Sequence, residues 1–186
     1  ILIEDQNINI FEKINYDNFF NKEKIYDIYP LQNKNIFNKS VLITGAGGSI
    51  GSELSKQVLN LKPKKLILLD SSESSLFKIQ QEIFMNIDAN KKIKILTCLI
   101  SIKEKKQLNN LFKVNKIDTI YHAAAYKHVG LVENNICSAI LNNVLGTLNL
   151  CELTIAYNIK QLVLISSDKA VEPINIMGLT KKISEL

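Results

Sequence analysis

From residue 41 onward, short unbroken apolar runs alternate with longer stretches whose apolar residues recur every three to four positions. The runs at 41–44, 66–69, 93–97, 117–123 and 162–165 are too short for helices and rich in leucine and β-branched residues, so they predict five strands. Between them Ile50, Leu54, Val58 and Leu61 predict an amphipathic helix, as do Leu76, Ile79 and Ile83. Leu108, Leu111 and Phe112 predict a third, shorter helix. Ile136, Ile140, Val144, Leu148, Cys151 and Ile155 share one face of a long fourth helix, the kind of stripe that faces a core. Strands that are apolar throughout and separated by helices imply a parallel sheet covered on both sides. The expected fold is α/β, a Rossmann-like doubly wound parallel sheet over residues 41–186.

Residues 1–40 follow neither period. They are rich in asparagine and lysine, with isolated aromatics such as Phe11, Tyr16, Phe19 and Phe37, and read as an N-terminal arm packed on the main domain. The 186 residues suffice for one sizeable core. The chain starts at Ile1 rather than methionine and stops at Leu186, inside the last predicted helix. The expectation is therefore a piece of a longer protein.

Composition narrows the function by exclusion. The net charge of +5 comes from lysine alone, with no arginine, and the lysines are scattered. A nucleic-acid binder calls for a basic stripe with arginines and interleaved aromatics, so no nucleic-acid partner is expected. Cys98, Cys137 and Cys151 are odd in number and lack metal spacing, and His122 and His128 have no cysteine companion. Buried free thiols in a reducing compartment and no metal are the reading. No apolar run reaches the ~20 residues of a membrane span. The expected location is cytoplasmic, with a membrane anchor in a preceding segment left open, as is homo-oligomerisation.

Two segments carry chemistry. The first strand breaks into Gly45-Ala-Gly-Gly-Ser-Ile-Gly51, and helical periodicity starts at once. A glycine turn between strand and helix lets backbone amides approach a pyrophosphate, whose charge is stabilised at the helix N-terminus. Asp70 ends the next strand, where a carboxylate can accept from an adenosine ribose hydroxyl. At the far end, strand 162–165 runs into Ser166, Ser167, Asp168 and Lys169, with Lys181 twelve residues further on. A hydroxyl, a carboxylate and two ammonium groups form a compact acid–base set, against the plainer reading of Asp168–Lys169 as a surface ion pair. Ligands of such sheets bind beyond the carboxyl ends of the strands, where these segments and 123–128 converge.

With TGAGGSIGSEL at 44–54, HAAAYKHV at 122–129, NNVLGT at 142–147 and SSDKAVEPINIMGLTK at 166–181, the chain resembles the extended short-chain dehydrogenases/reductases. Within them it resembles the long-form nucleotide-sugar 4,6-dehydratases of bacterial capsular polysaccharide and O-antigen biosynthesis. The resemblance implies an NAD-dependent lyase that makes a 4-keto-6-deoxy sugar from UDP-N-acetylglucosamine. It implies that Gly45, Gly48, Ser49, Ile50 and Gly51 hold the pyrophosphate and Asp70 the adenosine ribose. Ala123, Ala124 and Ala125 would let the dinucleotide cross the fourth strand, and Lys181 would bond the nicotinamide ribose. Ser167 would orient the sugar's hydroxyl at carbon 4, Asp168 and Lys169 would serve the elimination, and Tyr126, Lys127 and His128 would line the sugar side. NAD is expected over NADP, because Asp70 opposes a 2′-phosphate and no arginine receives it. Met177 stands where relatives in the wider superfamily carry an ionisable tyrosine. A thioether neither ionises nor donates a proton, so Met177 is either a residue of the catalytic site or a plain packing residue, and in either case the base is Lys181, another group or water. Cys98 and Ser101 stand where the family carries acids near the adenine. The alternatives are a non-catalytic dinucleotide-binding module and another nucleotide-sugar enzyme such as an epimerase.

Overall fold

The computed structural model describes residues 34–86 and 93–186. Most of the expected arm lies outside them. The strands are β1 (Ser40–Thr44), β2 (Lys65–Asp70), β3 (Lys94–Leu99), β4 (Thr119–His122) and β5 (Gln161–Leu164). They form one sheet in the order β3-β2-β1-β4-β5, and every pairing is parallel. Helices α1 (Ser49–Asn60), α2 (Glu73–Asn86) and α3 (Lys105–Val114) make the first crossovers. After β4 come the short α4 (Val129–Glu133) and the long α5 (Ile136–Ala156), and α6 (Ile176–Glu185) follows β5.

Alternate residues of each strand feed two cores. Leu42, Ile67, Leu69 and Ile120 pack with Leu108, Phe112, Leu150 and Leu153 of α3 and α5. Val41, Ile43, Leu66 and Leu68 pack with Val58, Ile79 and Ile83 of α1 and α2. Burial on both faces is why these strands read as continuous apolar runs. Ile36, within the expected arm, is buried in the second core, and Thr119 Oγ1 donates to the Asn35 carbonyl. The crossover order reverses between β1 and β4, which opens a crevice above their carboxyl ends.

Two expectations are corrected at α5. Its apolar stripe faces outward: Ile136, Ile140, Leu148 and Ile155 are all exposed. The inner face is Ala139, Asn142, Asn143, Gly146, Thr147, Leu150 and Leu153. Small and polar residues suit that face because its upper half packs against loops and the crevice. A Cβ on Gly146 would stand 2.6 Å from the Ile102 side chain. A π-helical stretch at Ile140–Leu145 interrupts the regular turn there. The second correction concerns length, since α5 is 21 residues long and apolar enough by composition to cross a membrane. Its contacts with the sheet through Leu150 and Leu153 are those of a core helix.

Candidate functional site

The glycine loop is required by the fold at three positions and left open at a fourth. Gly45 has φ +65°, in the left-handed region, and a Cβ there would lie 2.6 Å from the Ala124 nitrogen. A Cβ on Gly51 would lie 1.9 Å from the Gly45 carbonyl oxygen, so α1 begins flush against the loop. Gly47, which spacing did not single out, would drive a Cβ to 2.6 Å from the Ser75 carbonyl carbon. At Gly48 a Cβ would meet only the Gly45 oxygen, at 3.3 Å. The fold therefore presses on Gly48 far less than on the other three, through one tight contact rather than a clash. Ser49 and Ile50 are exposed, and α1 opens with no side-chain cap and no acid in its first turn. Its amide ends are free for an anion.

Asp70 closes the loop from the side. Its Oδ2 accepts from Gly47 N and its Oδ1 from Ser72 N, each at 2.9 Å. Each oxygen keeps acceptor capacity for a hydroxyl. Gly45, Gly48, Asp70, Tyr126 and the run Ala123, Ala124, Ala125 line one cleft of about 210 Å³. Ile100 and Ile102 complete its wall beside the family's usual acid positions. Of the three thiols expected to be buried, Cys98 is, and burial pushes its thiol pKa up, whereas Cys137 is exposed and Cys151 half-buried. A second cleft of about 420 Å³ shares Ala125 and Tyr126 with the first and continues past Lys127 and His128 to Leu131 and Val132. Lys127 Nζ donates to Ser49 Oγ at 2.9 Å, linking this segment to the glycine loop.

Asn143 sets the position of both clefts. It is buried, its Oδ1 accepts from Tyr126 N at 2.8 Å, and its Nδ2 donates to Tyr126 O and Thr180 Oγ1, each at 3.0 Å. The loop after β4 is thereby held to α6. Sequence reasoning used Asn143 only as part of NNVLGT; the available signal was an amide inside a long helix.

The buried His122 ring is fixed by two hydroxyls. Thr147 Oγ1 donates to the Asn143 carbonyl, so the His122 Nε2–H donates to Thr147 Oγ1 at 2.9 Å. Nδ1 then accepts from Thr44 Oγ1 at 2.7 Å. The ring is neutral, and burial, with the nearby Lys181 charge second, lowers its pKa to about 3. Because the folded value lies below the unfolded 6.5, acid protonates the unfolded chain first. His122 thus stabilises the fold above pH 6.5, and that contribution is lost as pH falls from 6.5 towards 3, at about 1.4 kcal/mol per unit. His122→Gln should therefore lose less stability than the parent between pH 7 and pH 4.5, by about 2 kcal/mol in urea melts. An equal loss in both proteins would refute this titration.

Ser167, Asp168 and Lys169 form a 3₁₀ turn at Asp168–Ala170, capped by Ser167 Oγ accepting from Lys169 N. Ser167 Oγ donates to Asp168 Oδ1 at 3.0 Å, and Lys169 Nζ lies 3.3 Å from the same oxygen. Asp168 and Lys169 form an ion pair at the surface of the chain. The Asp168 side chain is 87% exposed, and the Ser167 hydroxyl, then Lys169, hold its carboxyl below the usual range. These residues line neither cleft, and the exposure follows from their place on an outer turn.

Lys181 is buried, its Nζ donates to the Ile165 carbonyl at 2.6 Å, and burial lowers its pKa. Met177, one turn earlier, is buried among Val132 and Ala139. Gly178 lies between the two sets: a Cβ there would meet the Lys169 carbonyl oxygen at 2.4 Å. Helix α6 therefore runs hard against the Asp168–Lys169 turn. Asn175 Oδ1 caps it by accepting from Gly178 N, and Glu133 Oε1 accepts from Ile176 N.

A doubly wound sheet with a glycine loop at its crevice and a buried lysine one strand away defines an extended short-chain dehydrogenase/reductase fold. The family model described as polysaccharide biosynthesis protein matches residues 41–186, and the chain belongs to that family. It is 36% identical to the capsular polysaccharide biosynthesis protein CapD of Staphylococcus aureus, over 100% of this chain and 31% of that protein. It is 31% identical to an inverting UDP-N-acetylglucosamine 4,6-dehydratase of Campylobacter jejuni, over 81% of this chain and 43% of the relative. The solved structure of Pen from Bacillus thuringiensis superposes with a TM-score of 0.71 at 34% identity, covering 81% of this chain and 46% of that one. The chain thus spans less than half the length of these relatives.

Proposed function

We propose that the chain is the dinucleotide-binding part of a nucleotide-sugar 4,6-dehydratase acting on UDP-N-acetylglucosamine in surface-polysaccharide biosynthesis, with NAD as its cofactor. The observation that carries the reading is the packing of Gly178 under the Lys169 carbonyl, which joins an acid–base turn to the helix bearing a desolvated lysine. The likeness to the Campylobacter dehydratase supports the substrate class. The residues present fit a dinucleotide: an uncapped helix N-terminus would receive its pyrophosphate, Gly48 would allow close approach, and Asp70 retains lone pairs for a ribose.

When bound, NAD would supply the hydride acceptor at carbon 4 and the hydride donor at carbon 6. The chain's residues move the protons. Ser167 orients the carbon 4 hydroxyl, and its proton passes to Lys181 or to a water beside it. Lys181 suits that role because desolvation disfavours its ammonium form. Lys169 takes the proton from carbon 5, acidified by the new ketone, and gives it back to carbon 5 once carbon 6 is reduced, while Asp168 donates to the departing carbon 6 hydroxyl, which leaves as water. For Asp168 to hold a proton near neutrality, substrate must strip water from it, because in this chain its carboxyl titrates low.

The isolated chain should bind NAD at least about tenfold more tightly than NADP, since Asp70 opposes a 2′-phosphate. It should not turn over UDP-N-acetylglucosamine, because catalysis draws on binding energy from remote parts of the substrate. Calorimetric titration of both cofactors, and detection of the 4-keto-6-deoxy sugar with the whole protein, test the two halves. Tighter NADP binding sinks the cofactor assignment, and a whole protein that yields only a carbon 4 epimer sinks the dehydratase.

A further inference from the structure

The parallel sheet sorts lysines by edge. Every segment following a strand opens at one edge, and every segment preceding a strand opens at the other. Where the chain leaves the strands and enters the next helical turn, five lysines, Lys103 and Lys127 among them, face five carboxylates, Asp70 and Asp168 among them. The opposite edge is different. Lys39 leads into β1, Lys64 into β2 and Lys160 into β5, and Lys94 opens β3. Lys34, Lys62, Lys65, Lys113 and Lys116 flank them, and Asp118 is the one carboxylate among the described residues of these segments.

Backbone bonds tie the segments into one row. Lys94 N donates to Lys64 O, Lys64 N to Lys39 O, and Asp118 N to Ser40 O. Thr119 pairs with Gln161, which sets Lys160 beside Asp118. Five strands about 4.8 Å apart make a row about 20 Å long. Lys39, Lys113, Lys116 and Lys160 line a cleft of about 430 Å³ within it. Helix C-termini also point to this edge and favour lysines. Four of them carry only about −2 in all, too little to offset nine lysines. The ion pairs among the described residues, Lys56–Glu82, Lys105–Glu152 and Lys169–Asp168, involve none of the nine.

We propose that this edge docks on an anionic lipid surface, with the lysines over the headgroup phosphates and the dinucleotide cleft turned away from the bilayer. Phe37 and Val114, 55% and 76% exposed among these lysines, would enter the acyl boundary. A nucleic acid fits less well. The sequence has no arginine for bidentate phosphate contacts, and the two aromatics of the lysine-lined cleft, Phe112 and Tyr157, pack edge to face on each other with Phe112 buried, which leaves no free face for a base to stack on.

Flotation of the chain with vesicles tests this. It should float with phosphatidylcholine vesicles containing phosphatidylglycerol, remain free of pure phosphatidylcholine vesicles, and be released near 0.5 M salt, where about 4 Å of screening suffices. Each lysine at such a surface contributes about fivefold in partitioning. Combining Lys64→Gln, Lys113→Gln, Lys116→Gln and Lys160→Gln should then cost at least about 100-fold. A second set on the same edge, Lys34→Gln, Lys62→Gln and Lys94→Gln, should act in the same direction. Lys78→Gln, Lys103→Gln, Lys106→Gln and Lys182→Gln together remove as many charges elsewhere and should leave binding close to the parent's. Absence of flotation, equal loss in the control set, or tighter binding to duplex DNA than to the vesicles at matched salt would overturn the proposal.

Discussion

Gly48→Ala should leave the fold intact and abolish most dinucleotide binding, whereas Gly51→Ala should damage the fold itself. The difference lies in what each Cβ would meet. At Gly51 it would stand 1.9 Å from the Gly45 carbonyl oxygen, an overlap so deep that only moving α1 away from the loop after β1 relieves it. Overpacking against backbone costs about 3 kcal/mol or more, a large part of a domain's stability. At Gly48 the nearest atom is 3.3 Å away, a contact that a shift of a few tenths of an ångström relieves. The new methyl would instead stand where a pyrophosphate must approach. Gly48→Ala should thus melt within a few degrees of the parent and lose at least about tenfold in NAD affinity. Unchanged affinity in Gly48→Ala would show that no phosphate approaches that glycine. Asp70→Asn is a poorer probe, since the Asp70 carboxylate also anchors Gly47 and Ser72, so ribose recognition and loop position would fail together.

In the whole protein, Asp168→Asn should lower dehydration by at least about 100-fold while leaving oxidation at carbon 4 in place. An amide cannot supply the proton that the carbon 6 hydroxyl needs to leave, but the first hydride transfer does not use it. Reduced cofactor should therefore build up in a single turnover, visible by its absorbance. The substitution should cost little stability, because Asp168 is highly exposed and sits on an outer turn. Full dehydratase activity in Asp168→Asn would remove this residue from the acid role. Loss of both steps together would point instead to Asp168 holding the turn against α6.

What was legible in the sequence was whatever local spacing encodes. Val41, Leu42 and Ile43 are all buried, which is the physical meaning of an unbroken run, and the glycine loop with Asp70 follows the same strand–turn–helix logic. The run at 117–123 was read too long because Ile117 packs in the core without pairing in β4. The outward turn of Ile136, Ile140, Leu148 and Ile155 was hidden for another reason. An apolar stripe reveals a face but not what covers it, and the true inner face is dominated at its upper end by small and polar residues. Ile50 likewise fits the helical period yet lies exposed at the mouth of the loop. Gly47 and Asn143 were invisible because their reasons lie far along the chain, at Ser75 for one and at Tyr126 and Thr180 for the other. The low pKa of the Asp168 carboxyl could not be read from Asp-Lys adjacency either, since only its surroundings decide whether hydrogen bonding or desolvation prevails.

The fit of Gly178 beneath the Lys169 carbonyl makes the turn and α6 a single lever. Neither can swing without the other, because no side chain cushions the contact between them. On the proposed roles, if further chain closes over this face during a catalytic cycle, the Lys169 backbone and the helix carrying Lys181 keep their spacing throughout, and the gap to the sugar is what changes. Opening and closing would then gate access while leaving the proton-handling groups in register, so a slow step in turnover would report the movement of the cover rather than the assembly of the site.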